Sequence, residues 1–266
     1  MTMCPVPYVL IVAGSDPSGC AGLQADLKTV TNVHAATVVT ALTAGNTRGV
    51  SDVRTVSADF VLAQLQAVLS DFGAGIVKTG VLPNAETIRT LKRALDEVPP
   101  LGLVADPVLL TKTGEQIADD SAISAWKSLL PYATLVTPSA SEAALLTSLP
   151  VRNLAEAEHA AQALHELGAQ AVLIKGRELQ DTPEMVTDVF CPRDGCVRMP
   201  APRQQTQSHG TGDTLASAIA ANLAQGIPLE RAIRLAQAYV RHLLSHALSR
   251  GSDLPNSSKH LTRQSG

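Results

Sequence analysis

The sequence predicts an α/β fold in which a mainly parallel sheet is covered by helices on both faces. Short β-branched runs alternate with amphipathic stretches along the chain, and such repetition brings each strand back parallel to the last through a helical crossover. The apolar content of 45% is mostly Ala, Val and Leu, with 3% aromatics, a composition suited to small-faced helices packed on branched strands. Glycines and charged residues gather directly behind the strand-like runs, where open parallel sheets bind their ligands.

In order, Tyr8 to Ala13 is an apolar run of strand length, and Leu23 to Val33 repeats apolar residues at helical spacing. Val38 to Thr43, Gly75 to Lys78, Leu103 to Asp106, Thr134 to Thr137 and Ala171 to Lys175 repeat the strand pattern, each closed by polar or turn residues. Helical periodicity returns in Ala58 to Phe72, Asn84 to Glu97, Ser121 to Leu130 and Leu154 to Leu167. Met185 to Phe190 and Cys196 to Pro200 flank Arg193-Asp194-Gly195, which predicts an antiparallel hairpin at the sheet edge. Two helices follow, near Asp213 to Gln225 and Leu229 to Leu248. Beyond Ser249 the residues are too polar to pack. Residues 1–250 are therefore read as one domain and 251–266 as a disordered tail.

The formal charge of −3 comes without a dense run of Lys or Arg, so neither a nucleic-acid backbone nor an anionic membrane is the expected partner. A small molecule is. With no signal-peptide pattern and no apolar segment of spanning length, the expected location is cytoplasmic. Cys191 and Cys196 flank a turn with no second pair to complete a zinc site, and are read as ordinary thiols of the hairpin.

Two glycine-rich segments carry most of the chemistry. After the first strand comes Gly14-Ser15-Asp16-Pro17-Ser18-Gly19-Cys20-Ala21-Gly22, whose glycines allow close backbone approach and whose Asp16 or Ser18 can hydrogen-bond a ligand. It matches neither the dinucleotide fingerprint nor a P-loop, so alone it is equally a plain turn. His209-Gly210-Thr211-Gly212-Asp213-Thr214 leads straight into an alanine-rich helical segment, so the amides of Gly210 and Gly212 converge at a helix N-terminus and form an anion site. An Asp there repels phosphate, unless it takes a proton from an attacking hydroxyl while the amides hold the phosphoryl oxygens. The alternative is that Asp213 only caps the helix.

Lys78-Thr79-Gly80, Asp106-Pro107, Lys112-Thr113-Gly114, Thr137-Pro138-Ser139 with Glu142, and Lys175-Gly176 also stand at or beyond strand ends. Lysines there neutralise polyphosphate, and Asp106 with Glu142 can hold Mg²⁺ through water. Singly, each is also readable as a solvated loop charge. Asp26, early in the first helix, suits the positive end of its dipole.

Together these residues resemble the ribokinase-like superfamily, and within it the hydroxymethylpyrimidine/phosphomethylpyrimidine kinases of thiamine biosynthesis. The likeness rests on Ile11-Val12-Ala13-Gly14-Ser15-Asp16-Pro17-Ser18-Gly19 with Ala21-Gly22-Leu23-Gln24-Ala25-Asp26-Leu27-Lys28-Thr29, then Val77-Lys78-Thr79-Gly80, Val104-Ala105-Asp106-Pro107-Val108, Val136-Thr137-Pro138 and His209-Gly210-Thr211-Gly212. The resemblance implies a three-layer α/β/α sandwich and a homodimer. It also implies MgATP as phosphoryl donor to a ring hydroxymethyl group, and in this branch to the resulting monophosphate. Carried over by position, Gly14, Asp16, Gly45, Val81 and Val108 lie on the substrate side. Lys175, Thr211, Thr137, Ser139 and Lys112 lie on the ATP side, Asp106 and Glu142 serve the metal, and Asp213 with Gly210 and Gly212 serves transfer.

The chain departs from that branch at several of these positions. Asp213 replaces the usual Cys, which favours the general-base reading because Asp is the wider superfamily's residue. Gly45 stands where a Gln contacts the pyrimidine, and Val81 where a bulky Met is common. Both changes enlarge the ring pocket and remove an amide partner. Arg177 replaces the second Gly of a Lys-Gly-Gly turn, and Ser139 an Asn. The leading expectation is a kinase of the thiamine pyrimidine. A pyridoxal kinase is the alternative on the same fold, and a catalytically silent binder of such rings the alternative of another class.

Overall fold

A computed structural model describes residues 7–46, 49–111, 114, 116–179, 183–204, 209–246, 248–249 and 255–256. The apolar run Tyr8–Ser15 forms β1, whose side chains are buried on both faces, a condition only a central strand meets. After it come α1 (Gly22–Thr29), β2 (His34–Asn46), β3 (Gly49–Thr55), α2 (Ala58–Phe72), β4 (Ile76–Thr79), α3 (Ala85–Glu97) and β5 (Gly102–Ala105). The chain continues through α4 (Asp120–Lys127), β6 (Leu135–Val136), α5 (Ala140–Thr147), α6 (Leu154–Glu166), β7 (Ala171–Ile174), β8 (Met185–Pro192), β9 (Val197–Pro202), α7 (Thr211–Ala224) and α8 (Leu229–Ser245).

These strands form one nine-stranded sheet ordered β3-β2-β1-β4-β5-β6-β7-β8-β9. Pairing is parallel from β2 to β7 and antiparallel for β3, β8 and β9. The two-residue period of β1 divides the core: Tyr8, Leu10 and Val12 join the layer packed with α2 to α6, while Val9, Ile11 and Ala13 join the layer packed with α1, α7 and α8. This is the expected α/β/α sandwich. In α7, Thr214 to Ala221 are all buried, and the Ala and Ser side chains among them let the helix lie close against the sheet. Asn84, Asp119 and Asn153 start α3, α4 and α6 by accepting backbone hydrogen bonds from Thr87, Ala122 and Glu156.

Differences from the expected elements are local. The first helix stops at Thr29 rather than Val33, because β2 must begin at His34 to pair in parallel with Tyr8. β3 and α5 are additional to the sequence reading. The Cys191 and Cys196 expectation is corrected: the two form a disulfide. Phe190 pairs with Val197 across the hairpin, so the next residues towards the turn face each other, and register brings the sulfurs together. The expected tail lies outside the described residues, apart from Pro255–Asn256 paired with Leu248–Ser249. No helix among the described residues is long and apolar enough to cross a membrane.

Candidate active site

The loop after β1 is built from within. The Asp16 carboxylate accepts hydrogen bonds from Ser18 N (3.0 Å), Ser18 Oγ (2.6 Å), Cys20 N (3.1 Å) and Ala21 N (2.8 Å), and Gln24 Oε1 accepts one from Asp16 N (2.7 Å). Asp16 therefore shapes this loop, its acceptors turned to the loop's own donors. Gly22 ends it at a φ of +56°, where a side chain would strike the Gly14 carbonyl. Gly14 itself faces Val81 and Ala41, whose Cβ atoms lie 3.5 and 3.7 Å from where its own would stand. Gly45 stands further along β2, in the hairpin to β3, where a Cβ would come within 2.8 Å of the Gly49 carbonyl. Val108, half-buried, follows β5 and donates its N–H to the Asp106 carbonyl (3.0 Å).

Gly210 is the N-cap of α7 at a φ of +78°, pressed against the Cys20 carbonyl so closely that any side chain would overlap it. The helix thus begins at Thr211, two residues earlier than expected, and Asp213 lies inside its first turn. Its Oδ2 accepts from the Gly22 amide (3.1 Å) and its Oδ1 from Lys78 Nζ (3.1 Å). Lys78 is fully buried and also donates to Asp26 Oδ1 (2.7 Å), so its expected place among the polyphosphate-facing lysines is corrected. The ammonium is enclosed between two carboxylates instead. Burial pushes the Asp213 carboxyl up, but the Lys78 charge, the Gly22 N–H and Lys175 together outweigh it and hold the group below its ordinary value. Asp213 is ionised at neutral pH and its side chain is 14% exposed, enough to meet a ligand.

A second lysine is held in the same way on the other side of the glycine turn. Lys175 Nζ donates to Asp106 Oδ1 (2.9 Å) and lies 3.6 Å from Glu142 Oε2. Burial disfavours its charge, yet the two carboxylates outweigh that and raise it above the usual lysine range. Thr137 Oγ1 completes Asp106 Oδ1 (2.9 Å). Glu142 receives the Ser139 amide (2.7 Å) while Ser139 Oγ receives the Glu142 amide (3.2 Å), a capping box that starts α5. The Ser-x-x-Glu spacing at 139–142 was the available signal for this helix. Burial raises the Glu142 carboxyl against the pull of Lys175. Gly212 lies between the clusters, where a Cβ would stand 3.3 Å from Lys175 Nζ and 3.9 Å from Asp106 Oδ2.

From Lys175, Thr211, Gly212, Ser139 and Glu142 opens a cavity of about 380 Å³. Val186, Ala201 and Pro202 of the hairpin and Val240 of α8 also line it, beside Arg177, Arg203 and Arg241, so that apolar surface suited to a flat heteroaromatic ring stands next to cationic groups. Asp188 and Gln237, which the sequence did not single out, also line it and are hydrogen-bonded to each other (2.7 Å). Lys112 lies outside the described residues; Thr111 and Gly114, on either side of it, line the cavity. Gly14, Val81 and Asp16 lie outside this cavity's lining, in and beside the Gly14–Gly22 loop that reaches the carboxylate of Asp213 through Gly22.

A cavity lined by both charged and apolar side chains, reaching the glycine turn at Gly212 directly before the ionised carboxylate of Asp213, suits phosphoryl transfer from a nucleotide to a hydroxyl. The fold that presents it is that of the ribokinase-like kinases. The model of the phosphomethylpyrimidine kinase family matches residues 16–256, and the chain belongs to that family. It is similar to the hydroxymethylpyrimidine/phosphomethylpyrimidine kinase of Rhizobium meliloti, at 44% identity over 90% of this chain and 90% of that one. It is also 42% identical to the thiamine biosynthetic bifunctional enzyme TH1 of Arabidopsis thaliana over 91% of this chain, which spans 47%, or about half, of that longer protein. Among solved structures, the pyridoxal kinase of Staphylococcus aureus in complex with AMP-PCP superposes with a TM-score of 0.88 at 30% identity, covering 97% of this chain and 96% of that one. The chain is thus an ATP-dependent small-molecule kinase.

Proposed function

We propose that this kinase transfers the γ-phosphoryl group of ATP to the hydroxymethyl oxygen of 4-amino-5-hydroxymethyl-2-methylpyrimidine, and then phosphorylates the monophosphate. The observation that carries the chemistry is the position of Asp213, ionised and held between the Gly22 amide and Lys78 at the junction of the first loop with the glycine turn. The ring assignment is supported by the family match and by the relatives' names.

In the proposed step the hydroxymethyl oxygen attacks the γ-phosphorus, the bond from that phosphorus to the bridging oxygen of the β-phosphate breaks and ADP leaves, and Asp213 accepts the hydroxyl proton. The Gly210 and Gly212 amides and Lys175 hold the charge on the transferred group, and positioning supplies most of the acceleration. Among the described residues no three His, Cys, Asp or Glu side chains gather to cage a metal. One or two carboxylates plus substrate phosphates are the usual magnesium set, and Asp106, with Oδ1 engaged and Oδ2 facing Gly212, fits it, with Glu142 behind Lys175. Mg²⁺ bound there would neutralise β- and γ-phosphate charge.

A pyridoxal kinase is the second reading. Gly14 beside Val81, and a Gly45 with no room for an amide side chain unless the hairpin moves, leave the ring side without the amide contact expected for a pyrimidine. The test is a panel of hydroxymethylpyrimidine, its monophosphate, pyridoxal and pyridoxine with MgATP, read by the phosphate position on the product. Preferred turnover of the B6 vitamers refutes the pyrimidine assignment. We further propose a homodimer formed along β3, every residue of which is exposed, next to Leu42 at 53% exposure. A monomer in sedimentation at micromolar concentration refutes it.

A further inference from the structure

Beneath Asp213 lies a buried charged cluster that the transfer step as described does not use. Asp26 and Lys78 have no exposed side-chain surface. Asp26 Oδ1 accepts from both Lys78 Nζ (2.7 Å) and Ser217 Oγ (2.6 Å), whereas its buried Oδ2 has no hydrogen-bond partner among the described residues. Ser217 lies one turn beyond Asp213 on α7, so two successive turns of that helix meet the same lysine–aspartate pair. A carboxylate at the helix's first turn needs only one neighbouring cation to ionise. Here that cation is shared with a second carboxylate, which has no surface to serve and half its acceptors idle.

We propose that Asp26 is a positioning residue for phosphoryl transfer, dividing the charge of Lys78 so that Asp213, bound to the same ammonium, keeps the basicity needed to take the substrate proton. This inference rests on the base role proposed for Asp213. The groups facing the cluster are few. Lys78 comes from β4, and Asp213 and Ser217 from α7. Lys175 after β7 acts on Asp213 and Asp106 after β5 acts on Lys78 at longer range. Among the described residues, β1 and β2 send no charged side chain into it. An unshared ammonium at 3.1 Å would depress Asp213 further and make it a poorer proton acceptor. Burial pushes the Asp26 carboxyl up to about 7, against the attraction of Lys78. The charge sharing is therefore present above that pH and lost below it, where neutral Asp26 leaves Lys78 wholly to Asp213.

The test is the pH profile of kcat with MgATP and hydroxymethylpyrimidine, together with NMR titration of isotope-labelled aspartate carboxyls in the substrate-free protein. The wild type is expected to gain kcat as pH rises through about 7. In Asp26→Asn that rise disappears, kcat stays at every pH about three- to tenfold below the plateau the wild type reaches at high pH, KM for ATP stays unchanged, and Asp213 titrates lower. Asp213→Asn separates the two ideas. If it abolishes turnover while Asp26→Asn keeps the wild-type profile, Asp26 is only structural and the base role stands. If Asp213→Asn retains turnover, the base role fails, and the inference fails with it. An Asp213 titration unmoved by Asp26→Asn also overturns the charge sharing, whatever the substrate. Should Asp26→Asn not fold, Ser217→Ala removes one donor from Asp26 and is expected to move the rise in kcat to higher pH; an unmoved rise refutes the inference.

Discussion

Replacing Gly210 by alanine offers a sharp test because the chain contains its own control. Gly210 and Gly226 have nearly the same backbone, with φ of +78° and +77°. A Cβ on Gly226 would meet no described residue within 4 Å, whereas one on Gly210 would overlap the Cys20 carbonyl. Left-handed backbone costs an alanine about 1 to 2 kcal/mol, which is the whole penalty expected for Gly226→Ala, a fall in Tm of roughly 2 to 8 °C for a chain of this size. Gly210→Ala must in addition push α7 and the first loop apart, an overpacking cost of about 1 to 3 kcal/mol. That separation, on the order of 1 Å, shifts Asp213 from its place and should lower kcat about a hundredfold. Thermal unfolding and steady-state kinetics on both variants measure the difference. Equal loss of stability in the two, with kcat of Gly210→Ala within about twofold of wild type, refutes the contact as the reason for this glycine.

Three further outcomes follow from the same geometry. Asp213→Asn should reduce turnover far more than it weakens ATP binding, measured by calorimetry against kcat; equal losses in both would mean the residue serves the nucleotide. Because Asp26 is raised from 3.8 to about 7, the folded chain keeps a proton there that the unfolded chain has released. Stability should then fall as pH rises through that window, with Glu142 and Asp188, also raised by burial, adding to the slope; urea midpoints of wild type and Asp26→Asn should show a shallower slope in the variant. Ser139→Ala breaks the capping box and should cost about 1 kcal/mol in urea unfolding; a loss below about 0.3 kcal/mol would argue against it.

Most of the sheet was legible because its strands are buried on both faces and read as continuous apolar runs, with turn residues behind each. β3 escaped because Gly49–Thr55 is exposed throughout, so no pattern of burial marks it. α5 escaped because the apolar residues of Ala140–Thr147 run together as Ala143-Ala144-Leu145-Leu146 rather than at helical spacing, and Glu142 reads as a metal ligand rather than as half of a cap. At the site, Gly210, Gly212 and Asp213 could be found from one local motif. Lys78 stands out in the sequence as a phosphate ligand, because a lysine at a strand end ordinarily is one, whereas in the fold it is buried between carboxylates. Only the fold shows that Asp26 and Asp213, separated by 187 positions in sequence, close on it from two helices. The Cys191–Cys196 bond was missed for a related reason: strand register, and not the interval between cysteines, decides whether they meet.

The meeting of Gly210 with the Cys20 carbonyl, and of the Gly22 amide with Asp213, also bears on how such a protein can be redesigned. The segment that would choose the ring and the turn that would perform the transfer are fitted to each other as one part. Swapping residues 16–22 for those of a relative with another vitamin preference, while leaving 209–213 untouched, would import a loop cut for a different partner. New specificity in this scaffold should arrive only when both segments are exchanged together.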